Sequence, residues 1–313
     1  MSPAQKKTWP EKVTQTLKKI EWKIVILGCS GGADSMVLLD LVREFGKTAH
    51  ITVAHVHHWL RESATRDQNI VEKYCKKYQI PLEIITLQAK TEAKKAKMTI
   101  EEYARKVRQD FFESLRKKHH ANCIITAHHA DDQAETLLYR ITKWTSITGL
   151  VGIEERSRDY FRPLITISKN DILDYAEKNK IPFGHDETND DTSIPRNRLR
   201  HNVVPELQKI NPEIASAVAR LGHNAQELKM SFDAFFTEVI EKKSFSLDWY
   251  HSLPLGFQHE LLRFLYEQTN GSTHGLSTSL IEEMDRFLST RNGWKKEIKK
   301  MNLEKKQGQV YLT

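Results

Sequence analysis

Cysteine is scarce in this chain, and its three copies are dispersed. Cys29, Cys75 and Cys123 stand far apart and form no C-x-x-C pair. Three thiols cannot all pair with one another, and their spacing matches neither a disulfide framework nor a cysteine-bound metal or cluster site. This cysteine usage fits a reducing compartment, and we expect a cytoplasmic protein.

Long hydrophobic runs are also missing. A membrane-spanning helix needs about 20 apolar residues, and no run approaches that length. The first seven residues contain no apolar signal core, so we expect neither export nor membrane insertion. The 313 residues are 39% hydrophobic and 28% charged, a globular composition with room for about two domains.

Negative charge is outnumbered, with 41 acidic residues against 48 lysines and arginines and a net charge of +7. This balance favours a polyanionic partner such as tRNA, although an ordinary basic protein would have the same total. The basic residues are concentrated in two stretches. These are Lys94, Lys95, Lys97, Arg105, Lys106, Arg108, Arg116, Lys117 and Lys118, and then Arg291, Lys295, Lys296, Lys299, Lys300, Lys305 and Lys306.

Strand-like apolar runs alternate with helix-like segments in the first two thirds of the chain. Strands are predicted at 24–27, 51–56, 82–87 and 123–127. Helix starts are indicated by Ser63, by a capping box of Thr99 with Glu102, and by Ser168 with Asp171. The alternation predicts an α/β fold with a doubly wound, Rossmann-like parallel sheet.

Long amphipathic helices dominate from about residue 212 onward. They include the runs 215–228, 231–240 and 257–268, and Pro205 and Pro212 interrupt the pattern before them. We therefore predict a catalytic domain over residues 1–210 and a second, mainly helical domain over 211–313.

The first predicted strand runs directly into a Ser-Gly-Gly-x-Asp-Ser turn and then a helix. The turn consists of Ser30, Gly31, Gly32, Ala33, Asp34 and Ser35. Glycines and free N–H groups at a helix start suit an anion, and the serines add hydroxyl donors. Asp34 would repel phosphate, so a metal ion or an ammonium group is expected beside it. The alternative is a glycine-rich turn without a ligand. The motif resembles the pyrophosphate-binding loop of the N-type ATP pyrophosphatases and is not a Walker A loop.

A second group of polar residues, 127–136, follows the predicted strand 123–127. It contains His128, Asp131, Asp132 and Glu135, and the spacing of Asp131 and Glu135 places them on one helical face. Acidic residues at a helix start can simply complement the helix dipole. That alternative explains one carboxylate better than it explains the whole group.

Two further groups are less specific. His55, His57 and His58 end the second strand, where zinc is conceivable but a nucleotide-edge or structural role is favoured. The segment 186–189 is followed by an Arg-Asn-x-x-Arg pattern whose arginines could grip phosphates. A solvated basic helix start is the alternative. This pattern comprises Arg196, Asn197 and Arg200.

Together these motifs resemble the tRNA(Ile)-lysidine synthetases over about residues 24–205. The resemblance also includes Glu102-x-x-Arg105-x-x-Arg108 and Arg162-Pro163-Leu164. It implies ligation of free L-lysine to C2 of the first anticodon cytidine in an isoleucine tRNA with a CAU anticodon. ATP is split to AMP and diphosphate through an adenylated cytidine, and reading changes from AUG to AUA. It further implies a short member of the family whose 211–313 domain binds tRNA, and it leaves a homodimer open.

The resemblance also implies a role for each motif. Ser30 to Ser35 and His55 would bind ATP, with Mg²⁺ at Asp34. Catalytic roles fall to Asp34, His128, Asp131, Asp132 and Glu135, and tRNA binding to Arg105, Arg108, Arg196, Asn197 and Arg200.

Some positions depart from the family pattern. They are Trp59, Gln109, Lys143 to Ser146 and Thr188, and they put local loop shapes in doubt.

Three rival functions remain. A tRNA thiolase would need catalytic or cluster-binding cysteines, and an amidotransferase-linked synthetase would need an ammonia source. The third is a non-catalytic nucleotide- or tRNA-binding protein.

Overall fold

The computed structural model describes residues 8–19, 23–45, 50–58, 62–87, 89–142, 146–157, 159–184, 195–273, 275–290 and 294–312. The chain forms two compact units, Met1–His223 and Asn224–Thr313. No helix among the described residues is both long and apolar enough to cross a membrane.

Helices and strands alternate through most of the first unit. In chain order they are α1 (Trp9–Lys19), β1 (Ile24–Gly28), α2 (Ala33–Phe45), β2 (His50–His58), α3 (Glu62–Tyr78), β3 (Leu82–Leu87), α4 (Ala89–Lys95), α5 (Ile100–Lys118), β4 (Cys123–Ile125), α6 (Ala130–Ile141), a 3-10 turn (Thr148–Val151), β5 (Arg156–Ser157), β6 (Tyr160–Phe161), α7 (Lys169–Lys178), α8 (Pro195–Arg198), a π-helical turn (Leu199–Val203) and α9 (Val204–Ile210). α10 (Ile214–Lys242) continues into the second unit.

The first unit is built on a six-stranded sheet in the order β3-β2-β1-β4-β6-β5. Neighbouring strands are parallel except for the β5–β6 pair. Alternate residues of β1 enter different cores, because successive side chains of a strand point to opposite faces. Val25 and Leu27 join a core with α1, α2, α3 and α7, whereas Ile26 joins one with α5. Helices therefore cover both faces, which confirms the predicted doubly wound fold.

Helix starts follow their local sequence signals. Thr99 and Glu102 form the predicted capping box at α5, and the Ser168 hydroxyl accepts a hydrogen bond from the N–H of Asp171 at the start of α7. The helix predicted from Ser63 begins at Glu62 and ends at Tyr78, so Ser63 lies inside the helix and the prediction that it caps the helix was wrong. The starts of α5 and α7 were predictable because capping depends on residues only three positions apart.

The second unit is mainly helical, as predicted, and also contains a four-stranded antiparallel sheet that the sequence did not reveal. Besides α10, its elements are β7 (Ser244–Ser246), α11 (Leu247–Ser252), α12 (Leu255–Asn270), α13 (Thr278–Ser289), β8 (Lys295–Ile298), β9 (Met301–Lys306) and β10 (Gln309–Leu312), with sheet order β7-β10-β9-β8. β8 and β9 each carry two lysines, and the last three strands place Ile298, Met301, Leu303 and Val310 in the core. The runs 215–228 and 231–240 form one helix, α10, and the domain boundary at 210/211 stays a prediction.

Candidate functional site

The candidate site lies at the carboxyl edge of the parallel sheet, between β1 and β4. These two strands are direct neighbours, with β2 beyond β1 and β6 beyond β4. The sequence order of the strands reverses between them, and such a switch point opens a crevice beyond the strand ends. The loop after β1 and the segment after β4 therefore meet at one place.

The loop after β1 is shaped by Ser35. Its buried hydroxyl accepts hydrogen bonds from the N–H groups of Ser30 (3.1 Å) and Gly31 (3.2 Å) and donates one to the carbonyl of Gly32 (3.0 Å). The Ser30 and Ser35 hydroxyl oxygens are 3.2 Å apart. The structure thus places the Ser35 hydroxyl inside the loop, and its contact with a phosphate stays a prediction.

Gly31 is the position in this loop that requires glycine. Its φ is +93°, and a Cβ there would lie 2.9 Å from both the Cβ and the carbonyl oxygen of Asp67 in α3. An L side chain rarely adopts this φ, and the backbone of α3 leaves no room for one. The same loop is held from the other side, where Gly184 donates its N–H to the carbonyl of Gly31 at 2.9 Å.

An acidic cluster, defined as Asp34, Asp131, Asp132 and Glu135, lies beside the loop. The imidazole of His129 sits among the first three of these residues and is 5% exposed. Its Nδ1 is 3.4 Å from Asp131 Oδ2, and its Nε2 is 3.5 Å from Asp132 Oδ2 and 3.7 Å from Asp34 Oδ2. Burial opposes the charged imidazolium, but the neighbouring carboxylates outweigh it and raise the pKa of His129.

Lys169, the first residue of α7, links two members of the acidic cluster. Its Nζ donates to Asp34 Oδ1 at 2.6 Å, and its backbone N–H donates to Asp131 Oδ2 at 2.9 Å. Burial tends to raise the pKa of Asp131, but the contacts with His129 and with the Lys169 N–H lower it overall. The ammonium group expected beside Asp34 is thus supplied by the chain itself.

Glu135 forms a bidentate ion pair with Arg200 of the π-helical turn. Arg200 Nε is 2.5 Å from Glu135 Oε1, and its terminal nitrogen is 3.1 Å from Oε2. The same guanidinium lies 3.6 Å from Asp132 Oδ1. The Glu135 side chain is only 5% exposed, so Arg200 compensates a buried charge. Arg200 is therefore a partner of the acidic cluster, and its predicted contact with tRNA stays a prediction.

The two histidines predicted to bind or to react occupy different settings. His55 is buried, and its Nδ1 lies 2.9 Å from the carbonyl oxygen of Cys29, to which it donates. Burial lowers the pKa of His55, and its Nε2 has no hydrogen-bond partner among the described residues. His128 is half-buried, with its Nδ1 3.0 Å from the Thr126 hydroxyl.

The residues predicted to bind tRNA are only partly described. Arg105 and Arg108 are exposed on α5 and three residues apart, so they share a face, while Asn197 lies in α8. The side chain of Arg196 and the segments 59–61, 143–145 and 185–194 fall outside the described residues.

The thiols and the metal ligands bear on the rival functions. Cys29, Cys75 and Cys123 are unpaired and buried, and burial raises the pKa to about 11 for Cys29 and to about 12 for the other two. They are protonated at neutral pH, which disfavours thiolate chemistry. Within the described part of the chain, no three His, Cys, Asp or Glu side chains are grouped to hold a metal ion. A nucleotide-bound Mg²⁺ needs only one or two carboxylates besides the phosphates, and Asp34 fits that mode.

Two residues of the site were missed by sequence reasoning. The sequence interpretation chose His128 and not His129. An Asp at the third position of a helix can accept a hydrogen bond from the backbone N–H of the residue just before the helix. That residue is His129, whose N–H donates to Asp132 Oδ2 at 3.0 Å. Lys169 also gave a signal, because a cation at the start of a helix faces an unfavourable dipole and calls for an acidic partner.

Comparison with known proteins identifies the family. The sequence model of the PP-loop domain matches residues 5–207. The tRNA(Ile)-lysidine synthase of Petrotoga mobilis is 31% identical over 294 residues, which cover 92% of this chain and 91% of that protein. The enzyme of the same name from Thermotoga maritima is 38% identical over 203 residues, covering 64% of this chain. This chain spans about half the length of that relative, 49% by alignment.

A solved structure shares the fold. The U34-tRNA thiolase NcsA of Methanococcus maripaludis, solved with its [4Fe-4S] cluster, has a TM-score of 0.59 at 17% sequence identity. The likeness covers 70% of this chain and 78% of that one. At this identity it shows the fold alone.

Proposed function

This chain belongs to the tRNA(Ile)-lysidine synthase family, and from that premise we propose that it ligates free L-lysine to C2 of the first anticodon cytidine of an isoleucine tRNA. ATP drives the ligation and leaves as AMP and diphosphate. The tRNA substrate is the one with a CAU anticodon, and the reaction belongs in the cytoplasm, where tRNA is used. Homodimerisation stays a prediction.

One observation carries the proposal, namely the acidic cluster directly beside an anion-binding loop. A triphosphate suits the loop at the start of α2, where backbone N–H groups and the helix dipole favour negative charge. Lysine carries two ammonium groups at neutral pH, and buried ammonium groups need acidic partners.

The first half of the reaction needs the loop. Its backbone would hold the β- and γ-phosphates while the cytosine C2 oxygen attacks the α-phosphate, so that diphosphate leaves and the base is adenylated. Bound Mg²⁺, held by Asp34 and the phosphates, would offset the charge that builds up on the diphosphate. His55 Nε2 is an acceptor without a partner among the described residues, which suits an N–H or O–H donor of the nucleotide.

The second half of the reaction needs the acidic cluster. The ε-amine of lysine would attack C2 and expel AMP, and it must lose a proton to do so. A carboxylate within hydrogen-bond reach is a competent acceptor. Asp131 keeps an unprotonated carboxylate because its pKa is lowered, so this side chain is available to accept that proton.

The proposal is tested by incubating the protein with isoleucine tRNA, ATP and labelled lysine. We expect label in the tRNA, AMP formed in equal amount, and no labelling when the anticodon cytidine is replaced by uridine. Asp34→Ala should abolish labelling while thermal melting stays close to that of the wild type. Absence of labelling, or labelling that does not require ATP or the cytidine, would show that the proposed function is wrong, whereas full turnover by the Asp34 variant would contradict only the role given to Asp34.

A further inference from the structure

Lys169 stands where its own helix disfavours a cation. It is the first residue of α7, directly after the Ser168 cap, and the positive end of the helix dipole repels an ammonium group there. No part of the helix start requires a lysine side chain, since the cap is made by Ser168 and Asp171. The side chain of Lys169 is therefore stabilised by groups outside α7.

Two carboxylates hold Lys169 at both of its ends. Asp131 Oδ2 accepts the backbone N–H at 2.9 Å and fixes the start of the side chain. Asp34 Oδ1 accepts from Nζ at 2.6 Å and fixes its tip, although the two residues are 135 positions apart in the chain. Asp34 belongs to the first turn of α2, so the ammonium is placed beside the loop that faces the anion.

The ammonium of Lys169 still has donors to offer. An ammonium carries three N–H donors, and among the described residues Nζ of Lys169 donates a hydrogen bond to Asp34. The side chain is 36% exposed. The guanidinium of Arg200, in contrast, donates two hydrogen bonds to the buried carboxylate of Glu135. Of these two cations, Lys169 is the one that can receive an incoming ligand.

The charge of that ligand follows from the charges of Lys169 and Asp34. A second ammonium would be repelled from Nζ, whereas a phosphate entering the loop meets the uncompensated charge of Asp34 unless a cation lies beside it. We propose that Lys169 binds the β- and γ-phosphates of ATP, donating to their oxygens while it remains paired with Asp34. This inference rests on the ATP use of the proposed function.

Calorimetric titration with ATP, AMP and inorganic pyrophosphate tests the assignment. Loss of a charge-assisted hydrogen bond should weaken ATP and pyrophosphate binding about 10-fold or more in Lys169→Met. AMP binding should change less than about twofold, because AMP lacks the β- and γ-phosphates. Lys169→Arg should retain most of the ATP affinity. Lys178→Met, which removes an exposed lysine at the far end of the same helix, should bind as the wild type does.

A double variant separates direct binding from simple neutralisation of Asp34. Asp34→Asn with Lys169→Met removes both charges, and in titrations without Mg²⁺, where Asp34 has no metal to hold, we expect ATP binding to stay weak. Wild-type affinity in this double variant, wild-type ATP affinity in Lys169→Met, or an equal loss for AMP and ATP would each overturn the inference. A wild-type protein that binds ATP through Lys169 but attaches no lysine to tRNA would refute the proposed function and leave this inference standing.

Discussion

At the scale of single residues, the site is a set of buried or half-buried charges that compensate one another. Asp34 is paired with Lys169, Glu135 with Arg200, and His129 lies among three aspartates. Taking a charge out of water is costly unless a partner of opposite sign compensates it, so removal of either partner exposes the other's desolvation cost. The pairs therefore fix the directions of the carboxylates.

The pair of Glu135 with Arg200 gives a testable magnitude. Complete burial of such a pair would make its disruption cost about 3–5 kcal/mol, and since Arg200 is 35% exposed we expect Glu135→Gln to lower the free energy of unfolding by about 2–3 kcal/mol. Glu135→Gln with Arg200→Gln should lose less, because no charge is left unpaired. Under conditions where Glu135→Gln is folded, the lysine concentration needed for half-maximal labelling should rise more than the ATP concentration does.

The matched control uses the same substitution in an exposed ion pair. Glu206 pairs with Lys209 at 2.7 Å on α9, with both side chains mostly exposed, so Glu206→Gln should cost less than about 0.5 kcal/mol. Urea unfolding measures all three variants. Equal losses for Glu135→Gln and Glu206→Gln would contradict the structural role assigned to the buried pair.

At the scale of elements, the loop between β1 and α2 depends on two adjacent glycines in different ways. A Cβ on Gly31 meets the backbone of Asp67 at 2.9 Å in a left-handed conformation, whereas a Cβ on Gly32 meets only the Ser30 hydroxyl at 3.6 Å. Gly31 is thus required by the packing of α3 against the loop. Gly32 has room for a methyl group, so any need for glycine there comes from the ligand that approaches the backbone.

Two alanine variants separate these requirements. We expect Gly31→Ala to lower the free energy of unfolding by about 1–3 kcal/mol through backbone strain, and to weaken ATP binding with it. Gly32→Ala should stay within about 0.5 kcal/mol of the wild type yet bind ATP more weakly, because its methyl group narrows the phosphate approach. Thermal unfolding and ATP titration provide the two measurements. Unchanged ATP affinity in a stable Gly32→Ala protein would argue against phosphate binding at this backbone.

At the scale of the whole molecule, three lysines of the second basic stretch already have partners. Lys295 and Lys296 pair with Glu297 (2.9 Å) and Glu283 (2.5 Å). Lys305 donates to the carbonyls of Phe287 and Thr290, both at 2.6 Å, and so completes the end of α13. Lys300 and Lys306 are exposed and carry their charge at the surface, which makes them the candidates for tRNA contacts in the second unit.

Substitution tests this assignment better than truncation does. Val218 of α10 packs against Leu137 of α6, so a cut near residue 212 would uncover the core of the first unit. We expect Lys300→Ala with Lys306→Ala to weaken tRNA binding. The slope of log affinity against log salt should become shallower by about 1–2, because a protein that contacts fewer phosphates releases fewer counterions. ATP binding should not change.

The control removes the same number of charges from the same unit. Lys295→Ala with Lys296→Ala eliminates two lysines that already pair with glutamates, and its salt slope should stay closer to that of the wild type. If both double variants give the same slope in filter-binding measurements, net charge alone decides the affinity and the assignment to Lys300 and Lys306 is wrong.

The sequence by itself determined the features that depend on neighbouring residues. The strand–turn–helix of the loop, the capping box of Thr99 with Glu102, and the parallel alternation could be predicted because hydrophobic period and capping are local. The meeting of the loop with the 127–136 group was also predictable, since parallel strands end at one edge. The antiparallel sheet of the second unit was not, because its strands are only three to six residues long and carry too short a pattern to mark a strand.

Only the tertiary structure decided which charges meet. Asp34 contacts Lys169 across 135 positions and Glu135 contacts Arg200 across 65, separations over which no sequence periodicity carries information. The position of His129 inside the acidic cluster likewise depends on how α6 enters from β4. These contacts arise because folding brings the starts of α2, α6 and α7 and the π-helical turn together, and the energy of a buried charge then selects its partner.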